Sequence, residues 1–206
     1  MTIPLLLLRH GQTTWNAERR WQGWADAPLS ELGERQAVDA AAHLVGFGFT
    51  RVCSSDLGRA RRTAELLASA LGLGVEVVVE PDLKERDVGA FSGRLTSDLI
   101  LEFPDAFDPV TRRALHVPDG EADDALWSRA ERALVGLLRR FPDDRLVAVS
   151  HGGLIRTVER HLGVDPGHPT PNLGGRWLDI GGDGALVPGD PFLPIEPELV
   201  TEPPSE

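Results

Sequence analysis

Tyrosine is absent from the 206 residues of the chain, and cysteine and methionine each occur once. Lysine also occurs once, as Lys84, so arginine supplies nearly every cation. The single Cys53 excludes an internal disulfide and agrees with a reducing compartment. Placed at the end of a short β-type run, it reads as a small buried hydrophobe and not as a reactive thiol. No apolar run approaches the ~20 residues a membrane helix needs. The leucine run near the start lacks the basic leader and small-residue cleavage site of a secretory signal. The expectation is a cytoplasmic protein with no membrane partner. Positive charge is scarce as well: the formal net charge is -11, which argues against nucleic acid as a partner, since phosphate backbones demand a basic patch. An acidic chain can still bind an anion where a few arginines converge in one cleft.

Two short stretches organise what is present. Leu5-Leu6-Leu7-Leu8 ends in Arg9-His10-Gly11, and Leu146-Val147-Ala148-Val149 ends in Ser150-His151-Gly152-Gly153. An unbroken apolar run of this length, stopped by glycine, reads as a strand buried on both faces of a mostly parallel sheet. Ligands of such sheets bind beyond the carboxyl ends of the strands, which is where both histidines fall.

The pattern predicts strands at about 3–8, 51–54, 75–79 and 146–149, alternating with helices at about 30–45, 58–71, 121–141 and 154–162. Ser30 is the expected N-cap of the first helix, without a full capping box. Residues 12–29 read as a loop packed through Trp15, Trp21 and Trp24. A weak helix is expected near 97–103, and the region from there to Pro118 resists assignment. A closing hairpin is expected at 177–180 and 185–187. The fold class is α/β, a three-layer α/β/α sandwich over one domain, 1–187, followed by a Pro/Glu-rich tail, 188–206, expected to be poorly ordered.

A histidine at each of two strand ends admits three chemistries. Metal binding lacks cysteine or carboxylate companions at ligand spacing, and Arg9 beside His10 opposes a cation, so no metal is expected. A structural histidine is the bland reading of either residue alone. Phosphoryl transfer uses more of what is there: Arg9 and Arg59 as forked donors, Gly11 and Gly152 for close backbone approach, and imidazole as nucleophile. A leaving alkoxide needs a proton, and Glu85 is the candidate acid, although spacing alone reads it as a solvated glutamate.

Five motifs in order give the chain a family resemblance. They are Leu8-Arg9-His10-Gly11-Gln12-Thr13-Thr14-Trp15-Asn16; Gln22-Gly23-Trp24 with Leu29-Ser30-Glu31-Leu32-Gly33; Ser54-Ser55-Asp56-Leu57-Gly58-Arg59-Ala60 with Thr63-Ala64; Leu83 to Gly93; and Val149-Ser150-His151-Gly152-Gly153. Together they resemble the histidine phosphatase superfamily, in its phosphoglycerate-mutase-like branch. The resemblance implies that His10 becomes phosphohistidine, that Arg9, Arg59 and His151 form the phosphate pocket, and that Glu85 is the proton donor. It places Asn16, Gln22 and Gly23 in contact with phosphate or substrate, and requires no cofactor. Arg61, Arg62 and Arg86 match no role and read as surface or cap charges; His43, His116, His161 and His168 match none either.

The implied partner is a small phosphorylated metabolite, with inorganic phosphate as product. A cofactor-dependent phosphoglycerate mutase and a catalytically idle binding module of the same fold are the alternatives. Segment 92–120 is compact, and Val88 stands where the mutase pattern favours tyrosine, so hydrolysis of a phosphomonoester is the expected reaction. The sequence leaves a homodimer open.

Overall fold

The computed structural model describes residues 4–109, 114–165 and 169–193. The elements in chain order are β1 (Leu5–Arg9), α1 (Thr14–Ala17), α2 (Glu31–Leu44), β2 (Arg51–Ser54), α3 (Gly58–Ala70) and β3 (Val78–Val79). They continue with α4 (Thr96–Glu102), α5 (Asp123–Arg140), β4 (Leu146–Ser150), α6 (Gly152–His161), β5 (Gly175–Ile180) and β6 (Leu186–Phe192). Strand order in the sheet is β3-β2-β4-β1-β5-β6. The first four strands in that order run parallel, and β5 and β6 are added antiparallel.

The apolar runs explain the layers. Successive side chains of a strand point to opposite faces, so Leu5 and Leu7 pack with Leu134, Leu137, Leu154 and Ile155 of α5 and α6. Leu6 and Leu8 pack on the other face with Ala40, Leu44, Ala64 and Leu67 of α2 and α3. Strand β4 alternates in the same way, with Leu146 and Ala148 on the first face and Val147 and Val149 on the second. The result is the expected three-layer α/β/α arrangement. All four leucines of β1 are fully buried, and truncating any one to alanine is expected to cost about 2–5 kcal/mol.

Helix boundaries follow local chemistry. Ser30 Oγ accepts the Gly33 N–H at 3.0 Å, and Gly33 at the third helical position has no side chain to complete a capping box. Gly48, in a left-handed conformation, follows a 3₁₀ turn at Val45–Phe47 and ends that helical run.

Three expectations are corrected and one unassigned stretch is filled in. Strand β3 covers only Val78–Val79, two residues at the sheet edge, instead of 75–79. Helix α1 lies inside the expected loop, held by a capping box between Thr13 and Asn16. The stretch before Pro118 is built from a 3₁₀ turn at Pro104–Ala106 and a Phe107–Ala114 bridge, neither of which has a hydrophobic period. Residues 188–192, expected in the tail, belong to β6, which carries Pro188 and Pro191; an edge strand tolerates residues without an N–H. Arg112, Arg113, Pro166, His168 and residues 194–206 lie outside the described residues. Among the described residues no helix is long and apolar enough to cross a membrane.

Candidate active site

Parallel pairing of β1 with β4 sets Arg9 opposite Ser150, so His10 and His151 leave neighbouring strands at the same level. Their ring centroids are 5.1 Å apart. His10 is buried, and its Nδ1 lies 2.7 Å from the Gly11 carbonyl. A carbonyl only accepts, so Nδ1 carries the proton. On the other side of the ring, Arg59 Nε donates to Nε2 at 3.3 Å. Both contacts select one tautomer, with the lone pair on Nε2 accepting from Arg59. Burial first, then the Arg59 and Arg9 charges, hold the His10 pKa well below 6.5, against the opposing pull of the Gly11 carbonyl. The imidazole is therefore neutral near pH 7. Thr63 and Asn172 fix the backbone around it: Thr63 Oγ1 accepts the Gly11 N–H at 3.1 Å, and Asn172 Nδ2 donates to the His10 carbonyl at 2.9 Å.

The cations around the ring are held by main-chain carbonyls. Arg59, 1% exposed, donates Nη1 to Ala25 O at 2.7 Å and Nη2 to Gly23 O at 2.8 Å. Arg9 donates Nη1 to Thr170 O at 2.7 Å, while its buried Nε has no partner. A Cβ on Gly152 would lie 3.3 Å from that Nε. His151 pairs through Nε2 with Ser55 Oγ at 2.7 Å, and its buried Nδ1 is also without a partner. Burial, then Arg59, His10, Arg129 and Arg9, push its pKa well below 6.5. Buried polar atoms without partners are rare and costly. Here two belong to residues beside His10: Arg9 Nε carries an N–H suited to an oxyanion, and so does His151 Nδ1 when it is the protonated nitrogen of the ring.

Glu85 is buried as well, so the solvated reading is excluded. Its Oε1 accepts the N–H groups of Arg86 at 2.8 Å and Leu154 at 3.1 Å, and Oε2 accepts that of Gly153 at 3.0 Å. The carboxyl thus sits on the N-terminus of α6, one residue past His151, where the helix presents unsatisfied N–H groups. A Cβ on Gly153 would lie 2.5 Å from Glu85 Oε1. Gln22 is buried with its Oε1 3.1 Å from Thr13 Oγ1. Asn16 Oδ1 accepts the Thr13 N–H at 3.1 Å, and its Nδ2 is a third buried atom without a partner. Gly23, at φ +53°, turns its carbonyl onto Arg59.

Among the supporting residues, Arg129 and Asp26 carried no signal in the sequence. Arg129 of α5 donates to the carbonyls of Asp82, Lys84 and Glu85 at 2.7, 2.6 and 2.8 Å and pairs with Glu121 at 2.7 Å. Trp24 Nε1 also donates to Glu85 O, at 2.7 Å. Asp26 accepts the Gly58 N–H at 2.7 Å and stands 3.6 Å from Arg59 Nη1. Arg86, expected as a surface charge, is instead half-buried and paired with Asp123. Arg62 is a surface charge, paired with Glu34, and His43 is exposed. Trp21 packs edge-on against Phe91, as loop packing predicts, while Trp24 is largely exposed. Among the described residues no group of three or more His, Cys, Asp or Glu side chains is arranged to hold a metal ion.

Comparisons with known proteins agree with this arrangement. Residues 5–176 match the family model described as the histidine phosphatase superfamily (branch 1). A protein of Cronobacter sakazakii named "Probable phosphoglycerate mutase GpmB" is 40% identical over 157 residues, 73% of this chain and 70% of its own length. A solved mycobacterial glucosyl-3-phosphoglycerate phosphatase, in complex with VO3, superposes with a TM-score of 0.76 at 29% identity, covering 90% of this chain and 96% of its own. A phosphoglycerate mutase of Bacillus anthracis shares the fold, with a TM-score of 0.75 at 24% identity over 92% of both chains. With five-sixths of its length matched by the family model and His10 and His151 at paired strand ends, the chain belongs to the histidine phosphatase superfamily, branch 1.

Proposed function

We propose that the chain is a phosphomonoesterase acting on small phosphorylated metabolites, with His10 as nucleophile and Glu85 as proton donor. The observation that carries this reading is the His10 tautomer: a neutral ring, protonated on Nδ1, with its Nε2 lone pair facing Arg59. Nε2 forms a bond to phosphorus as the ester P–O bond breaks, and the leaving oxygen takes the proton of the Glu85 carboxyl. Arg9, Arg59 and His151 carry the charge on the transferring oxygens. Glu85, now a carboxylate, takes a proton from water as that water attacks phosphorus. The N–P bond breaks, and inorganic phosphate and free His10 result. Asn16, Gln22, Gly23 and Gly152 shape the cradle around the ester. No step calls on a metal or an organic cofactor.

Phosphate release from a panel of phosphomonoesters, measured with and without chelator, tests this. His10→Ala is expected to lose about 10⁴-fold or more. Glu85→Gln is expected to lose about 10²–10⁴-fold on alkyl phosphates and less on p-nitrophenyl phosphate, whose phenolate leaves without a proton. Acid-labile, base-stable labelling of the wild type, absent from His10→Ala, identifies the intermediate. Activity that survives His10→Ala overturns the reading.

The name of the Cronobacter sakazakii relative favours a second reading, a phosphoglycerate mutase. Against it, Val88 offers no hydroxyl to a sugar acid. Isomerisation of 3-phosphoglycerate with little phosphate release would decide for the mutase.

A further inference from the structure

The transfer chemistry gives no task to one residue at the strand ends. Ser55 follows β2, and β2 pairs parallel with β4, with Ser54 opposite Val149. The neighbouring strands β1, β4 and β2 therefore lead into His10, His151 and Ser55 side by side. Ser55 is fully buried, and its N–H donates to Val149 O at 3.1 Å. Its Oγ lies 2.7 Å from His151 Nε2 and receives a longer contact from the Leu57 N–H, at 3.4 Å.

The number of protons sets the direction of the short contact. A neutral imidazole has one N–H and one lone pair, and a serine hydroxyl has one proton to give. Burial first, then Arg59, His10, Arg129 and Arg9, keep His151 neutral near pH 7. Were Nε2 protonated, it would donate to Ser55 Oγ, and the hydroxyl proton would find no acceptor, because Leu57 offers only a donor. Nδ1 would then be a buried lone pair without a donor as well. When the hydroxyl donates to Nε2 instead, Oγ is satisfied in both directions, and only an Nδ1–H stays open. One unmatched buried group costs less than two.

That open N–H belongs to a ring 5.1 Å from His10, centroid to centroid. The charged oxygens of a transferring phosphoryl group accept hydrogen bonds and are repelled by a lone pair. We propose that Ser55 is a positioning residue: by donating to His151 Nε2 it holds the ring in its Nδ1–H tautomer, so that His151 offers the phosphoryl oxygens a donor and not a lone pair. No proton changes owner in this arrangement. The inference rests on the roles given above to His10 and His151. It concerns the oxygens common to every phosphomonoester, so the serine acts alike on all of them, unlike Glu85.

Imidazole nitrogen NMR of histidine-labelled protein near pH 7 reads the tautomer, with the His151 ring assigned by its absence from His151→Ala. The wild type is expected to carry the proton on Nδ1, and Ser55→Ala to lose that preference. A wild-type ring protonated on Nε2 overturns the proposal, and this spectrum decides even where Ser55→Ala fails to fold. In turnover, Ser55→Ala is expected to lower kcat about 10–10²-fold, equally on p-nitrophenyl and alkyl phosphates. Added to His151→Ala, it should cost less than about twofold more, because the serine acts only through the ring. Losses that multiply in the double variant, or that fall on alkyl phosphates alone, overturn the proposal and leave the phosphomonoesterase reading standing. Should the wild type hydrolyse no ester, the proposed reaction falls, and orthovanadate binding still decides for Ser55. Binding at least about tenfold weaker in Ser55→Ala supports the donor role, and equal binding overturns it.

Discussion

Around His10 the charged side chains are held by the backbone, whereas around Arg160 they hold one another. Arg59 rests on the carbonyls of Gly23 and Ala25, Arg9 on that of Thr170, His10 on that of Gly11, and Glu85 on three N–H groups. At the start of α5, Arg86, Arg160 and His161 instead meet on the one carboxylate of Asp123. Backbone partners move only if the sheet or a helix end moves, so the first region is preorganised. Side-chain partners exchange by rotamer change, so the second can change shape without any movement of the sheet. A region fixed by the backbone therefore stands beside one fixed by side chains alone, with the Glu85–Arg86 loop between them.

Arg129 is the hinge of that contrast, because it ties α5 to the loop bearing Glu85 and is itself nearly buried with Glu121. Arg129→Met leaves the nearly buried Glu121 carboxylate without its cation and the Asp82 and Lys84 carbonyls unpaired, while the Glu85 carbonyl keeps Trp24 Nε1, with an expected loss of about 3–5 kcal/mol in urea melts. A double variant, Arg129→Met with Glu121→Leu, should recover much of that stability. If the single variant costs less than about 1 kcal/mol, the Glu85 loop is not held as the contacts indicate, and the contrast between the halves fails on its rigid side.

How each half could be read from the sequence follows from the same difference. The runs Leu5–Leu8 and Leu146–Val149, each followed by a histidine and a glycine, announce paired strand ends because burial on both faces leaves no polar interruption. Ser30 announces a helix start because its cap is local. Arg129 announces nothing, since its partners are carbonyls 44 to 47 residues earlier, which every residue type carries. Arg86, Asp123 and Arg160 look like ordinary surface charge until the chain brings them to one point. The aromatic cluster of Trp21, Phe91 and Phe107 is similarly silent, because no helical or strand period links its members. Pro188 and Pro191 point to a tail by composition, yet a residue without an N–H costs little on an edge strand, and β6 is an edge.

Gly153 probes the rigid half with a smaller perturbation. A methyl group there would press on Glu85 Oε1 at 2.5 Å and lift the carboxyl from the end of α6. Gly153→Ala is expected to lower kcat about 10²-fold on alkyl phosphates, with a milder loss on p-nitrophenyl phosphate. Equal losses on both esters would mean that the glycine serves the phosphate cradle and not the proton donor.

The mildest perturbation, a change of pH, separates the halves without a substitution. Burial, followed by neighbouring arginines, keeps His10 and His151 neutral in the folded protein well below 6.5. The unfolded chain binds protons on both as the pH falls through 6.5, and the folded chain does not. Stability is therefore unaffected by this pair above that value and declines below it, by at most about 1.4 kcal/mol per pH unit for each histidine. Asp123 acts in a different window. Burial opposes its ionisation, but Arg160, Arg86 and His161 together hold its pKa below 3.8, so the stability it contributes is present above 3.8 and is lost as the pH falls further. Urea melts between pH 7.5 and 3 should accordingly show two acid limbs. His10→Gln with His151→Gln should flatten the limb that begins near 6.5, and Asp123→Asn only the one below 3.8. If the double histidine variant keeps the full slope between pH 6.5 and 5, the two imidazoles are not buried in neutral form. The backbone contacts of His10 would then not exclude its proton, and the contrast with the side-chain cluster on Asp123 would fail on that side.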